Sequence, residues 1–251
     1  MAKRSSRRTA RRMYDNAPHD DAGNVRRLFD EPQWSPLENK QRDQKYRKNI
    51  RAQNESQQGM LDAIDASPLV FSVGPAGTGK TYLAVAKAVE ALEAGTVRRI
   101  VLSRPAVEAG ESLGFLPGDM EEKLSPYLRP LYDALCDRLS GKRLKALLAE
   151  GVIEIAPIAY MRGRTLNNSY VVIDEAQNCT YGQLKMLLTR LGWSSTMVVT
   201  GDPQQTDLLP ELSGLSEVAD KLEQLDTVEV VRFARGDVVR HPLVADMIDL
   251  L

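Results

Sequence analysis

Cysteine is scarce: Cys136 and Cys179 are the only two in 251 residues. Two thiols are too few for a disulfide framework, and these stand in no metal-ligand spacing. Histidine is equally scarce, and with only His19 and His241 a zinc centre is not expected. No run of about 18 apolar residues occurs, so no membrane-spanning helix is expected, and no charged-then-apolar leader opens the chain. These absences point to a soluble, unexported chain in a reducing cytoplasm. Aromatic residues make up only 6%, too few for the interleaved rings of a base-stacking platform.

Charge of neither sign prevails overall, since the net is −1, yet its distribution is uneven. Residues 1–54 hold fourteen Lys or Arg against seven acids, net +7, which leaves −8 for the rest. A basic arm on an acidic body fits a polyanion partner such as RNA or DNA, and fits equally a solvated tail kept soluble by charge. The expected organisation is therefore a largely irregular arm over 1–52 and one folded domain over 53–251. Trp34 and Leu37 are the apolar points at which the arm could be pinned.

Beyond residue 53, short apolar runs alternate with helical patterns. Runs at 69–73, 99–103, 152–156, 170–173, 197–200 and 228–233 read as strands. This alternation predicts an α/β fold, a mainly parallel sheet with helices on both faces. A helix carrying Val85, Val89 and Leu92 should stop at Gly95. Thr180 and Gln183 form a capping-box pattern that opens a helix running to Gly192. A last helix should begin at Pro242, and the helical stretch between Asp119 and Gly151 should be interrupted at Pro126 and Pro130.

What is present in full is Gly74-Pro75-Ala76-Gly77-Thr78-Gly79-Lys80-Thr81, the phosphate-loop pattern G-x-x-x-x-G-K-[ST], placed after a strand and before a helix. Its glycines let backbone N–H groups turn toward a triphosphate. Lys80 can reach the β- and γ-phosphates and the Thr81 hydroxyl can ligate Mg²⁺. At the end of another strand stand Asp174 and Glu175, where open α/β sheets place their ligands. Asp174 is the candidate Mg²⁺ ligand and Glu175 the group that would polarise an attacking water. That carboxylate favours hydrolysis over transfer to an alcohol. A third strand ends in Gly201-Asp202-Pro203-Gln204-Gln205. Gln204, or its neighbour Gln205, can hydrogen-bond a γ-phosphate and the water aimed at it.

Residues 74–81, 174–177 and 201–205 resemble motifs of superfamily-one helicases. More closely, the chain resembles the PhoH-like family of P-loop ATPases. That likeness is carried also by Gln57 and Asp62-Ala63-Ile64, by residues 103–111 from Ser103-Arg104-Pro105, and by residues 113–119. It continues through Tyr160-Met161-Arg162-Gly163-Arg164-Thr165 and residues 237–243, and covers about 53–251. The resemblance implies a RecA-like P-loop domain, ATP with Mg²⁺, ATPase activity and a link to RNA or single-stranded nucleic acid. It also implies Gln57 as an adenine reader, since its amide has both a donor and an acceptor. Helicases of this class carry two RecA-like domains. Residues 53–251 are consumed by one sheet and hold no PIN nuclease domain. A homo-oligomer, with a hexameric ring as one arrangement, would let a neighbour complete the site with an arginine. Arg104, Arg129, Arg162, Arg164 and Arg240 are the candidates, and Arg240 is preferred because it follows the last strand; Arg162 and Arg164 can instead meet nucleic-acid phosphates. The alternative is an ATP-driven switch acting on a protein partner, and a small-molecule kinase is disfavoured because nothing resembles an acceptor lid.

Overall fold

The structure, a computed structural model, describes residues 50–105 and 120–239. Six strands, β1 (Leu69–Val73), β2 (Arg99–Arg104), β3 (Ile153–Pro157), β4 (Ser169–Ile173), β5 (Thr196–Gly201) and β6 (Val228–Arg232), form one sheet in the order β3-β2-β4-β5-β1-β6. Every pairing is parallel. The six expected strands are all present, and the chain is a RecA-like P-loop fold. Val, Ile and Leu alternate between two buried faces, so both sides must be covered.

Helices α1 (Glu55–Ala66), α2 (Lys80–Glu93), α3 (Met120–Cys136) and α4 (Gly141–Ala149) cover one face. There Met60, Leu83, Val89, Leu131, Leu135 and Leu144 pack on Val70, Ile100, Leu102, Val172 and Val198. Helices α5 (Tyr181–Leu188) and α6 (Leu215–Leu222) cover the other, where Leu184, Leu187 and Leu215 meet Phe71, Val101, Val171, Met197 and Val199. The chirality of parallel crossovers sets this division. From β1 the chain moves one way across the sheet to β2 and β3, then returns to β4, β5 and β6. Right-handed connections must therefore run over opposite faces. Ile50 and Ala52 pack against the first core, so the folded region reaches back slightly beyond residue 53. Cys179 is fully buried, and burial pushes its thiol up to about 12, which makes it an inert core residue.

Two expectations are corrected. Helix α3 runs unbroken through Pro126 and Pro130. Each proline removes one helical hydrogen bond, but its fixed φ is itself helical, and the fully buried Leu131 and Leu135 hold the segment on α2. The helix opened by Thr180 ends at Leu188, short of Gly192. There the backbone is taken by another partner: Leu166 N–H donates to Arg190 O (2.8 Å) and Gly192 N–H donates to Leu166 O (3.2 Å). The helix expected from Pro242 lies outside the described residues, as does nearly all of the arm. Among the described residues no helix is long and apolar enough to cross a membrane.

The capping box at the start of α5 is complete, with Thr180 N–H donating to Gln183 Oε1 (2.8 Å) and Gln183 N–H donating to Thr180 Oγ1 (3.3 Å). Thr180→Ala should therefore lower stability by about 1 kcal/mol, read from the urea midpoint with an unchanged m-value.

Candidate active site

Parallel strands gather their C-terminal ends on one edge, and the phosphate loop is fastened there from several sides. Gly74 N–H donates to Gly201 O (3.1 Å), and Phe233 N–H donates to Val73 O (2.8 Å), so the loop leaves β1 wedged between the ends of β5 and β6. Gly74 has φ +138°, and a Cβ there would stand 2.4 Å from Phe233 O. Only glycine fits so close to backbone. Farther along, Val239 N–H donates to Gly77 O (2.9 Å). Gln57 lies under the loop, buried, donating through Nε2 to Thr78 O (2.9 Å) and accepting at Oε1 from Gln53 N–H (2.8 Å). Gly79, at φ +88°, gives that amide its room, since a Cβ would stand 3.0 Å from Nε2.

The Lys80 ammonium sits inside the loop, donating to Gly74 O (2.6 Å), Pro75 O (2.7 Å) and Thr78 Oγ1 (3.3 Å). Ala76 N–H donates to the carboxylate of Asp202 (Oδ2, 3.2 Å). The loop thus already receives an anionic oxygen on a backbone amide. With the N–H groups of the first turn of α2 and its positive dipole end, this donor set suits phosphate oxygens.

Facing the loop, buried Asp174 follows β4. Its Oδ1 accepts from Thr81 Oγ1 (2.6 Å) and from Thr200 Oγ1 of β5 (2.7 Å), while Oδ2 lies 3.8 Å from Arg104 Nη1. A hydroxyl and a carboxylate held side by side are hard oxygen ligands of the kind Mg²⁺ takes beside phosphate oxygens. Glu175 has a left-handed backbone, φ 54° and ψ 40°, which costs a non-glycine residue about 1 kcal/mol. Its carboxylate is gripped by Arg104 Nη2 (3.1 Å) and by Gln177 Nε2. Buried Gln177 also accepts from Asp202 N–H (3.0 Å) and donates to Gln205 O (3.3 Å), joining the end of β4 to the loop after β5. Gly201 is constrained by this amide, since a Cβ there would lie 2.7 Å from Gln177 Oε1.

The structure therefore brings together Gln57, residues 74–81, Asp174 and Glu175. Gln204 is exposed beside them; its N–H donates to Asp202 Oδ1 (3.0 Å), and it lines a cleft of about 390 Å³ with Gly74, Pro75, Arg232 and Arg235. Arg240 lies outside the described residues. Of the other arginines, Arg104 enters the site, Arg129 and Arg162 are exposed, and Arg164 is held in a bidentate pair with Glu154 (2.5 and 2.6 Å). The Arg164 hydrogen bond holds Glu154 below the usual carboxylate range. Sequence reading gave no role to Gln177, Thr200 or Asp202. They stand inside or beside the motifs quoted, but their partners depend on which strands are neighbours. Gln177→Leu leaves the Asp202 N–H and the Glu175 carboxylate without that amide. A loss of about 1–3 kcal/mol, read from the urea midpoint, is expected, larger than for an exposed substitution such as Glu211→Gln.

A glycine-rich loop at a sheet's C-terminal edge, with an acid pair at the neighbouring strand ends, defines the class: a P-loop NTPase fold. The large terminase of a thermophilic bacteriophage, solved in complex with ADP, shares this fold, with a TM-score of 0.50 at 12% identity over 78% of this chain and 50% of that one. Residues 49–251 match the family described as PhoH-like protein, and the chain belongs to that family. The PhoH-like protein of Mycobacterium tuberculosis strain H37Rv is 56% identical over 203 residues, 80% of this chain and 58% of that protein. The one from Bacillus subtilis strain 168 is 55% identical over 203 residues, 80% of this chain and 64% of that protein. The chain thus spans about three fifths of the length of these relatives.

Proposed function

We propose that the protein is a Mg²⁺-dependent ATPase of the PhoH-like family whose turnover is coupled to RNA or single-stranded nucleic acid. The observation that carries this reading is the Thr81–Asp174 contact of 2.6 Å, set against a loop with the Lys80 ammonium at its centre. Residues 74–81 hold the phosphates of ATP with backbone N–H groups and Lys80. Thr81 and Asp174 hold Mg²⁺, which when bound would neutralise charge on the phosphates. Glu175 orients and polarises the attacking water once its carboxylate turns from Arg104, and Gln204 lies where it can report the γ-phosphate. Gln57 keeps one N–H and one lone pair beyond its bonds to Thr78 and Gln53, and those serve adenine. Domain 53–251 is the ATPase unit and 1–52 the nucleic-acid arm. A neighbouring copy supplies the facing wall in a homo-oligomer, with Arg240 as the arginine that completes the site, in the cytoplasm.

Lys80→Ala should weaken ATP binding at least about tenfold, the loss of a charge-assisted bond to phosphate. Glu175→Gln should bind ATP as the parent does but turn it over about 10²–10⁴-fold more slowly. Calorimetric binding and a phosphate-release assay separate the two effects, and normal hydrolysis by Glu175→Gln contradicts the role given to that carboxylate.

Single-stranded RNA should raise turnover, with a stimulation that weakens as salt rises because the basic arm contacts phosphates. No stimulation, together with no salt-sensitive retention on single strands, favours the alternative of a switch acting on a protein partner.

A further inference from the structure

At the opposite edge of the sheet, where the strands begin, α1 and α2 both end beside a cavity of about 520 Å³. Both helix ends are electrostatically unusual. A helix C-terminus carries about half a negative charge and favours cations in its last turn. Neither α1 nor α2 has a basic residue there, and Asp65 and Glu90 occupy the last turns instead. Lys87 is the cation between them, with its Nζ 2.5 Å from Asp65 Oδ1 and 3.6 Å from Glu90 Oε2. One ammonium thus faces two carboxylates and two helix ends, and the site remains negative.

An independent observation points to a ligand. Tyr170, on β4, is 2% exposed and lines the same cavity. Its hydroxyl has no hydrogen-bond partner among the described residues. Leaving a buried hydroxyl unpaired costs about 1–3 kcal/mol, so native structures rarely keep one without use. Burial, then the carboxylates of Asp65 and Glu90, push this phenol up, which fixes it as neutral and places it within reach of their field. The rest of the lining mixes apolar Ile64, Pro68, Ala91 and Val97 with the hydroxyl-bearing Ser67, Thr96, Ser194, Ser195 and Thr196.

We propose that this cavity is a binding site for a small polyamine, an alkyl chain bearing primary ammonium groups. Ammonium groups supply only donors, and the cavity offers acceptors: the Asp65 and Glu90 carboxylates, the Tyr170 oxygen and the hydroxyl oxygens of the serines and threonines that line it. Methylene segments match the apolar side chains of Ile64, Pro68, Ala91 and Val97 between them. A hydrated metal ion would leave those apolar side chains uncovered. The site is separate from the phosphate loop, and its occupancy does not depend on the ATPase reading.

The test is calorimetric titration of the full chain with spermidine, without nucleotide and at physiological ionic strength. One saturable site is expected. Tyr170→Phe, which keeps the ring packed, should weaken it about fivefold, and Glu90→Gln, a change at the half-exposed rim, about tenfold. Glu217→Gln, on α6 and remote from the cavity, should leave binding unchanged. Absence of saturable binding overturns the proposal. So does binding that neither cavity variant alters, or displacement of spermidine by an equal concentration of Mg²⁺.

Discussion

The seat of the phosphate loop between the ends of β5 and β6 is the constraint on which the site depends. Gly74 can occupy that seat only because it lacks a Cβ. Gln57 supports the loop from α1 and Val239 from the segment after β6. Asn54 and Ser56 join those two supports through Asp237, donating to its carbonyl (3.2 Å) and carboxylate (2.8 Å). Regions distant in sequence thus converge on eight residues. Such pre-organisation is what a loop needs if its amides are to meet charge without rearranging.

Around that seat the charges are closely balanced. Lys80 rests on the carbonyls of its own loop, Arg104 lies against Asp174 and Glu175, and Asp202 takes a loop amide. Every one of these groups has a partner that a phosphate, a metal ion or a water could replace by exchange. Buried charges are tolerated only when paired, so a site of this kind stays folded by pairing internally until its ligands arrive. Glu175 is the clearest case. It sits in a strained backbone conformation and is held by both Arg104 and Gln177. Gln177 also reaches the loop after β5, so one side-chain amide joins Asp202 and Gln205 to the Glu175 carboxylate.

The elements and the loop were legible in the chain because each is a local pattern. Apolar runs of five or six residues mark strands, Thr180 with Gln183 marks a helix start, and the spacing of Gly74, Gly79, Lys80 and Thr81 marks the phosphate loop. What was not legible depends on neighbours far apart in sequence. Nothing local says that β2 adjoins β4, yet that adjacency alone brings Arg104 to Glu175. The roles of Thr200 and Gln177 likewise follow from β5 lying between β4 and β1. The end of α5 is decided by Leu166, more than twenty residues earlier, and the persistence of α3 through two prolines by its packing on α2. Tertiary contacts overrode local signals in both helices.

On the function proposed above, the Lys80 ammonium exchanges its loop carbonyls for phosphate oxygens while Thr81 and Asp174 take the metal. A crystal structure of the protein with Mg²⁺ and a non-hydrolysable ATP analogue tests this most directly. Lys80 Nζ should be released from Gly74 O and Pro75 O and bonded to phosphate oxygens, with the metal beside Thr81 Oγ1 and Asp174. Phosphates bound away from residues 74–81, or Lys80 still seated on the loop carbonyls with nucleotide present, would contradict it.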